Sequence, residues 1–243
     1  MECLDTLINP KESWHCVEGG SDTITKKLLD NHPYTVRLSS PVKRVRRIQD
    51  GEIIVSVHRG RTLRAESFQA AIVSCPDAHR LLAGLQSTRS QYHAYISLLL
   101  SFRQRPLLAK FPKVNLVHGL YTDHPLGNYL EATKIPTGWT LRILAAHADR
   151  YLKLSNHELE RRCRKAIRKL GISPDYEELH IRRWKHGLPC GGTTRKFDKV
   201  ENGIYVCGDR YGAWPSMACA MVSGAWAADA VVTELNERPL SGQ

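Results

Sequence analysis

The 243-residue sequence holds no run of about 18 uncharged apolar residues, so no transmembrane segment is expected. Its start, Met1-Glu2-Cys3-Leu4-Asp5, lacks a basic region followed by an apolar stretch, so no secretory signal is expected either. It contains no Cys-x-x-Cys pair, and no histidine spacing completes a zinc site, so no metal is expected. The seven cysteines (Cys3, Cys16, Cys75, Cys163, Cys190, Cys207 and Cys219) are odd in number and widely scattered. That usage suits reduced thiols and a cytoplasmic location. Gly-x-Gly occurs nowhere. This excludes the glycine-rich turn between strand and helix that cradles a dinucleotide pyrophosphate. Gly191-Gly192-Thr193 stands in a loop context near the end and reads as a surface turn.

Acidic residues are in deficit, 24 against 35 Lys and Arg, for a net charge of +11. Two runs carry much of the excess: Lys43-Arg44-Val45-Arg46-Arg47, and Arg161-Arg162-Cys163-Arg164-Lys165 with Arg168-Lys169. The first alternates with Val42, Val45 and Ile48, as a half-exposed element does. The second lies on an amphipathic helix whose apolar side is Leu159, Cys163, Ile167 and Leu170. No nucleic-acid motif and no interleaved aromatics accompany them, so nucleic acid is not an expected partner. A solvated face and an acidic partner subunit are the two readings left.

What is present is an ordinary globular composition, 42% hydrophobic and 24% charged, long enough to bury a core. Ser21 or Asp22 caps a helix to Asn31 with Ile24, Leu28 and Leu29 facing inward. Tyr34–Leu38 alternates as a strand. Val42–Ile48 and Glu52–His58 form a hairpin across Asp50-Gly51, followed by a strand over Arg61–Glu66. Ala70–Ser74 is a short apolar strand, and Pro76 opens a helix to Leu82. Tyr92–Phe102, Val114–His118, Asn128–Ala132 and Trp139–Ala146 read as an antiparallel sheet. Ser155, with Glu158 in the capping-box position, starts a helix through Leu170. Strands over Glu178–Lys185 and Gly203–Cys207 and a helix over Ser216–Asn236 follow. The class is mixed α/β, with an antiparallel sheet inserted between two α/β segments. The expected segments are 1–80, 81–185 and 186–243.

The most informative stretch is the tail: Gly203-Ile-Tyr-Val-Cys-Gly-Asp209, a loop, then the small-residue helix from Ser216. A buried strand delivers Gly208 and Asp209 at its C-terminal end, the edge where open α/β sheets bind ligands. Gly208 permits close approach, and the Asp209 carboxylate accepts hydrogen bonds from sugar hydroxyls. The helix beginning near Ser216 aims unsatisfied N–H groups and partial positive charge forward. A plain strand-to-turn exit followed by a packing helix is the structural alternative.

This tail resembles the C-terminal flavin motif of the superfamily containing monoamine oxidases, protoporphyrinogen oxidase and carotenoid and squalene desaturases. Other segments follow that family's order. Gly19-Gly20 with Leu28 is similar to the entry to its second half. Ser40-Pro41-Val42 through Val55 resembles the adenine-side segment, and Ala70 through Pro76 its apolar strand and following proline. Arg183-Trp184 with Leu188-Pro189 resembles the segment before its last strand.

The resemblance implies an FAD-dependent oxidoreductase abstracting hydride from an amine or a C–C bond of a small-molecule substrate. It implies FAD contacts from Val42, Gly208, Asp209, Ser216, Met217 and Ala218, and places Trp184 and Trp214 along the flavin face or the substrate entrance. It assigns no catalytic base and no covalent flavin attachment, Cys207 included. The chain matches the family's second half and lacks its glycine-rich nucleotide-binding half. A partner chain carrying that Rossmann half is therefore expected, in a heteromer. A non-catalytic scaffold subunit, or a truncated inactive homologue that has lost FAD, is the alternative.

Overall fold

A computed structural model describes residues 22–30, 34–76, 78–82, 92–106, 117–121, 129–169, 171–212 and 216–237. The chain divides into two units, Met1–Pro41 and Val42–Gln243. In the first, helix α1 spans Asp22–Asp30. Leu28 and Leu29 are exposed rather than inward-facing. The expected strand over Tyr34–Leu38 does not form. Tyr34, Val36 and Leu38 alternate as a strand would, yet all three are exposed. Alternation needs a partner ladder to become a strand, and among the described residues none pairs with this segment. Gly19-Gly20 lies outside the described residues.

The described residues of the second unit form three sheets. Strands β1 (Val42–Arg47), β2 (Ile53–Arg59) and β3 (Thr62–Phe68) form an antiparallel meander. The β1–β2 turn is the expected one. Gly51 takes φ 84°, its N–H donates to the Ile48 carbonyl at 3.0 Å, and Ile48 N–H donates to the Glu52 carbonyl at 2.9 Å. The first basic run sits on β1 with Val45 buried and Lys43, Arg44, Arg46 and Arg47 exposed, a half-solvated strand.

Strand β4 (Ala71–Val73) leads to the short helix α2 (Ala78–Leu81). Five strands then build the largest sheet: β5 (Tyr92–Phe102), β6 (Val117–Tyr121), β7 (Tyr129–Ile135), β8 (Gly138–Ala146) and β9 (Glu178–Pro189), in the order β6-β7-β8-β5-β9. Every adjacent pair in it is antiparallel. One face is closed by helix α3 (Asn156–Lys169). Ile96, Leu98, Leu100, Leu141, Ile143 and Ala145 pack there against Leu159, Cys163 and Ile167. Burial of these aliphatic chains, about 1.5–3 kcal/mol each, is the main cohesive term.

The Ser155 Oγ accepts the Glu158 N–H at 3.1 Å, so the cap is real. The reciprocal half of the capping box is not made. The Glu158 carboxylate instead takes Arg161 and Arg162 at 2.7 Å each. These hydrogen bonds hold its pKa down at about 2.

Strand β9 runs four residues past the expected end because β5 pairs with it as far as Tyr92↔Pro189. A bulge between His93 and Tyr95 keeps that register. Gly187 sits under the bulge, where a Cβ would lie 2.2 Å from the Tyr95 Cβ.

The third sheet has the order β10-β11-β4, with β10 (Asp198–Glu201) antiparallel and β4 parallel to β11 (Ile204–Val206). Strand β10 carries no alternating apolar pattern in the sequence. It forms because β11 offers it a ladder: Asp198↔Val206 and Lys199↔Tyr205.

Helix α4 (Met217–Glu237) follows, capped by the Ser216 Oγ, which accepts the Cys219 N–H at 3.1 Å. By length and composition it is apolar enough to cross a membrane, a property spread along small residues rather than one unbroken run. Its Ala227 nevertheless packs on Tyr205 and Cys207, and its Glu234 accepts from the Tyr205 hydroxyl and pairs with Lys199 at 3.0 Å.

None of the five described cysteines is in a disulfide. Cys163 is fully buried on the sheet-facing side of α3, and burial pushes its thiol up to about 12. Native alkylation at mildly alkaline pH, read by peptide mass spectrometry, should modify exposed Cys75 and leave Cys163 untouched until denaturant is added. Gly187→Ala should lower stability by about 1–3 kcal/mol in denaturant unfolding, because the added methyl meets the Tyr95 side chain and not solvent.

Candidate functional site

The site begins with two strands of three residues each. β4 and β11 run parallel, with Ala71↔Ile204, Ile72↔Tyr205 and Val73↔Val206 in register. Ala71 N–H donates to the Gly203 carbonyl at 2.8 Å, and Cys207 N–H to the Val73 carbonyl at 3.1 Å. Parallel pairing brings both C-terminal ends out at one edge. From that edge emerge Ser74-Cys75-Pro76 and Gly208-Asp209-Arg210. They enclose a cavity of about 30 Å³, completed by His79 of α2 and Tyr92 of β5.

Gly208 adopts φ 138°, open to glycine and strained for other residues. Among the described residues nothing beyond its chain neighbours lies within 4 Å of where its Cβ would stand, so they leave the backbone here bare on its outer side. Its N–H donates to the Ser223 Oγ at 3.3 Å, and the Ser223 hydroxyl donates to the Lys196 carbonyl at 2.7 Å. Ser223 is fully buried, so one hydroxyl ties α4 to the end of β11 and to the approach to β10.

The Asp209 carboxylate accepts hydrogen bonds from its own and the Arg210 backbone N–H and from the Tyr92 side chain. Burial nevertheless raises its pKa from the ordinary Asp value; those three donors oppose the rise. His79 Nδ1 is buried and has no hydrogen-bond partner among the described residues.

Arg210 turns the other way. It donates to Asp198 Oδ2 at 2.7 Å and to the Tyr211 hydroxyl at 2.8 Å, and that hydroxyl donates to Asp198 Oδ2 at 2.9 Å. Burial, foremost, pushes the Tyr211 hydroxyl well above the usual phenol range. This network fixes the loop after Asp209. Thr193 reinforces it, its N–H donating to the Arg210 carbonyl at 3.2 Å and its carbonyl accepting Gly212 N–H at 3.0 Å. Gly191-Gly192 is thus an exposed turn whose next residue anchors the site loop.

Of the residues singled out from sequence, Gly208 and Asp209 line this cavity. Val42 does not. It opens β1 opposite Val57, half-buried against the cluster of Val73, Val206 and Tyr211. Ser216, Met217 and Ala218 form the exposed start of α4 and line neither this cavity nor the one on the large sheet. Trp184 belongs to a different place, an open hollow of about 600 Å³ on the face of the five-stranded sheet away from α3. Trp214 lies outside the described residues.

Tyr92 and His79 were not singled out. Tyr92 reads as the first residue of a strand, and only the folded chain brings it to Asp209. The edge of its ring faces His186, with centroids 5.9 Å apart. His79 sits in a four-residue helix with no local pattern to mark it. Among the described residues no cluster of His, Cys, Asp and Glu could hold a metal.

Comparisons with known proteins bear on this arrangement. The family model described as flavin containing amine oxidoreductase matches residues 4–232. Cyclohexylamine oxidase from Brevibacterium oxydans IH-35A superposes with a TM-score of 0.65 at 16% identity, over 90% of this chain and 53% of that one. A putrescine oxidase redesigned in its cofactor binding gives 0.64 at 12%, over 88% and 53%. The p-nitrophenol 4-monooxygenase PnpA of Pseudomonas putida DLL-E4 gives 0.54 at 12%, over 90% and 55%. The chain thus spans about half the length of these solved structures. No curated protein matches it by sequence.

The raised Asp209 pKa has a sign for stability. The folded chain holds this proton to higher pH than the unfolded chain does, so ionising Asp209 opposes folding as pH rises through that interval. Solvent on the open side screens most of the cost. Asp209→Asn should therefore raise the thermal midpoint at neutral pH only slightly, on the order of 1–2 °C. The gain should vanish below the ordinary Asp range, as differential scanning fluorimetry across pH would show.

Proposed function

The chain belongs to the flavin containing amine oxidoreductases, and on that premise we propose that it is the flavin-ring and substrate half of an FAD-dependent oxidoreductase. Its nucleotide-binding half would come from a partner chain bearing Gly-x-Gly-x-x-Gly. The observation that carries this is the edge where β4 and β11 end, with bare Gly208 backbone and the Asp209 carboxylate side by side.

The residues present fit such a cofactor. Among the described residues none fills the position a Cβ would take on Gly208, which would let a flat ligand approach the backbone there. The His79 Nδ1 is buried without a partner among the described residues and gives the cavity a polar atom to satisfy. Asp209 would accept hydrogen bonds from the ribityl hydroxyls, with Tyr92 holding the carboxylate in place. The start of α4, capped by Ser216, would favour the negative charge that grows at the flavin N1 and O2 edge. Val42 would meet adenine through its backbone. Hydride acceptance is the chemistry a bound flavin supplies. The chain's own part is to orient the small-molecule substrate, an amine or a compound oxidised at a C–C bond, and to keep water out. We assign no general base.

Two features support a partner. The cavity at Asp209 has about the volume of one water, so this chain contributes a wall of a flavin site and not an enclosure. In addition, β4 is an edge strand with Ile72 exposed beside it, and α4 exposes Met217, Met221, Val222 and Val232. An uncovered apolar face of that kind marks an interaction surface. The cysteine usage suits a cytoplasmic complex. The small cavity also supports the second reading, a scaffold subunit that has lost FAD.

Co-expression with a neighbouring Gly-x-Gly-x-x-Gly chain should yield a yellow complex, with flavin absorbance tracking both chains through gel filtration. In it, Asp209→Ala should reduce flavin content roughly tenfold or more, the scale of losing a charged hydrogen-bonding group. Colourless, folded protein under every pairing selects the scaffold. Unchanged flavin content in Asp209→Ala removes the assignment of this carboxylate.

A further inference from the structure

The five-stranded sheet has one face packed on α3 and one face open, and the open face is chemically mixed. The β5–β8 and β5–β9 registers set its side chains in rows. Leu144, Ser97 and Arg182 form one row; Arg142, Leu99 and His180 form the next; Tyr95 and Trp184 stand beside the first. Together they line the hollow of about 600 Å³, a volume within the range of small-molecule sites. An antiparallel sheet face that only meets water would be polar throughout. Here Leu99, Leu144, Tyr95 and Trp184 make an apolar floor, and Trp184 is 52% exposed. That is a large ring to leave in water without an occupant.

The charged groups on this face differ in how they are used. His180 is engaged by Glu178 at 3.3 Å. Arg142 is likewise engaged in an interaction of its own. Arg182 is different. Among the described residues Arg182 makes no hydrogen bond or ion pair, although it stands between Trp184 and His180 at the edge of the apolar floor. A guanidinium is charged at any working pH and presents a planar fork of donors that matches a carboxylate.

We propose that this hollow takes a substrate with an apolar or aromatic body and one carboxylate, the body lying on Leu99, Leu144, Tyr95 and Trp184 and the carboxylate on Arg182. The assignment rests on the oxidoreductase reading for the word substrate, but the binding itself needs no flavin. It separates this chain from an oxidase of simple amines, whose cationic substrates an uncompensated arginine would repel.

Titration calorimetry on the 243-residue chain tests this with phenylacetate, its neutral isostere phenylacetamide, phenethylamine and phenyl phosphate. Phenylacetate should bind saturably and the amide and amine at least roughly tenfold more weakly, the scale of one charge-assisted hydrogen-bonded pair. Arg182→Gln should remove that preference while leaving the thermal midpoint unchanged, and Arg182→Lys should restore part of it. Trp184→Ala should weaken phenylacetate and phenylacetamide alike. Equal binding of phenylacetate and phenylacetamide, an unchanged preference in Arg182→Gln, or no saturable phenylacetate binding overturns the proposal. Phenyl phosphate binding in preference to phenylacetate overturns the carboxylate assignment. Asp209→Ala serves as the separating control. It should leave phenylacetate binding intact, so failure of the flavin reading and failure of this one are distinguishable.

Discussion

The candidate cofactor wall depends on a parallel pair only three residues long. β4 and β11 are joined by a few backbone hydrogen bonds, and parallel pairing alone makes Ser74-Cys75-Pro76 and Gly208-Asp209-Arg210 leave the sheet side by side. So short a ladder needs support from its faces. One face is held by Val45, Ile53, Val73, Ile204, Val206 and Tyr211, which draw the β1–β2 hairpin into the same core. The other is held by α4, where Tyr205 and Cys207 pack on Ala227. The Ser223 hydroxyl is the polar element in this contact. It is fully buried, accepts from Gly208 and donates to the Lys196 carbonyl, so the conformation of Gly208 and the seat of α4 are one constraint.

The five-stranded sheet solves a different problem. Its core face is aliphatic on β5 and β8, and α3 covers it. The basic run on α3 is absorbed locally. Arg161 and Arg162 share Glu158, and Arg164 pairs with Glu160, which also accepts from the Tyr176 hydroxyl. These exposed pairs are worth little individually. They match Arg161, Arg162 and Arg164 with carboxylates on the helix's own face. The run on β1 is likewise interleaved with buried Val45.

Legibility from sequence followed the range of the interactions. The β1–β2 hairpin was readable because Asp50-Gly51 encodes its turn locally, and β5 and β8 because period-two patterning over nine or more residues survives any context. Gly208 and Asp209 were readable because a buried strand, a glycine and a carboxylate are consecutive. Tyr34–Leu38 misled because alternation records a preference, whereas a strand requires a neighbour. β10 was missed for the converse reason, since Asp198–Glu201 has no pattern of its own and takes its form from β11. Tyr92, His79 and Arg182 could not be found as site residues in the sequence. Tyr92 gains its role from the return of β11, His79 from the cavity beyond β4, and Arg182 from a register across two strand pairs.

The two hollows also differ in how completely one chain can build them. The cavity at Asp209 lies at the rim of a sheet whose β4 edge and α4 face are uncovered, so its size is set by what packs there and its 30 Å³ describes one wall only. The hollow over β5, β8 and β9 has its floor within a single sheet, braced from behind by α3 and pinned by the Gly187–Tyr95 approach. No residue lines both hollows. The nearest connection is through β5 and β9, where Tyr92 and His186 meet edge-on at 5.9 Å, close to Trp184 in sequence. The two hollows therefore rest on separate supports in this chain, and loss of the first would leave the second standing.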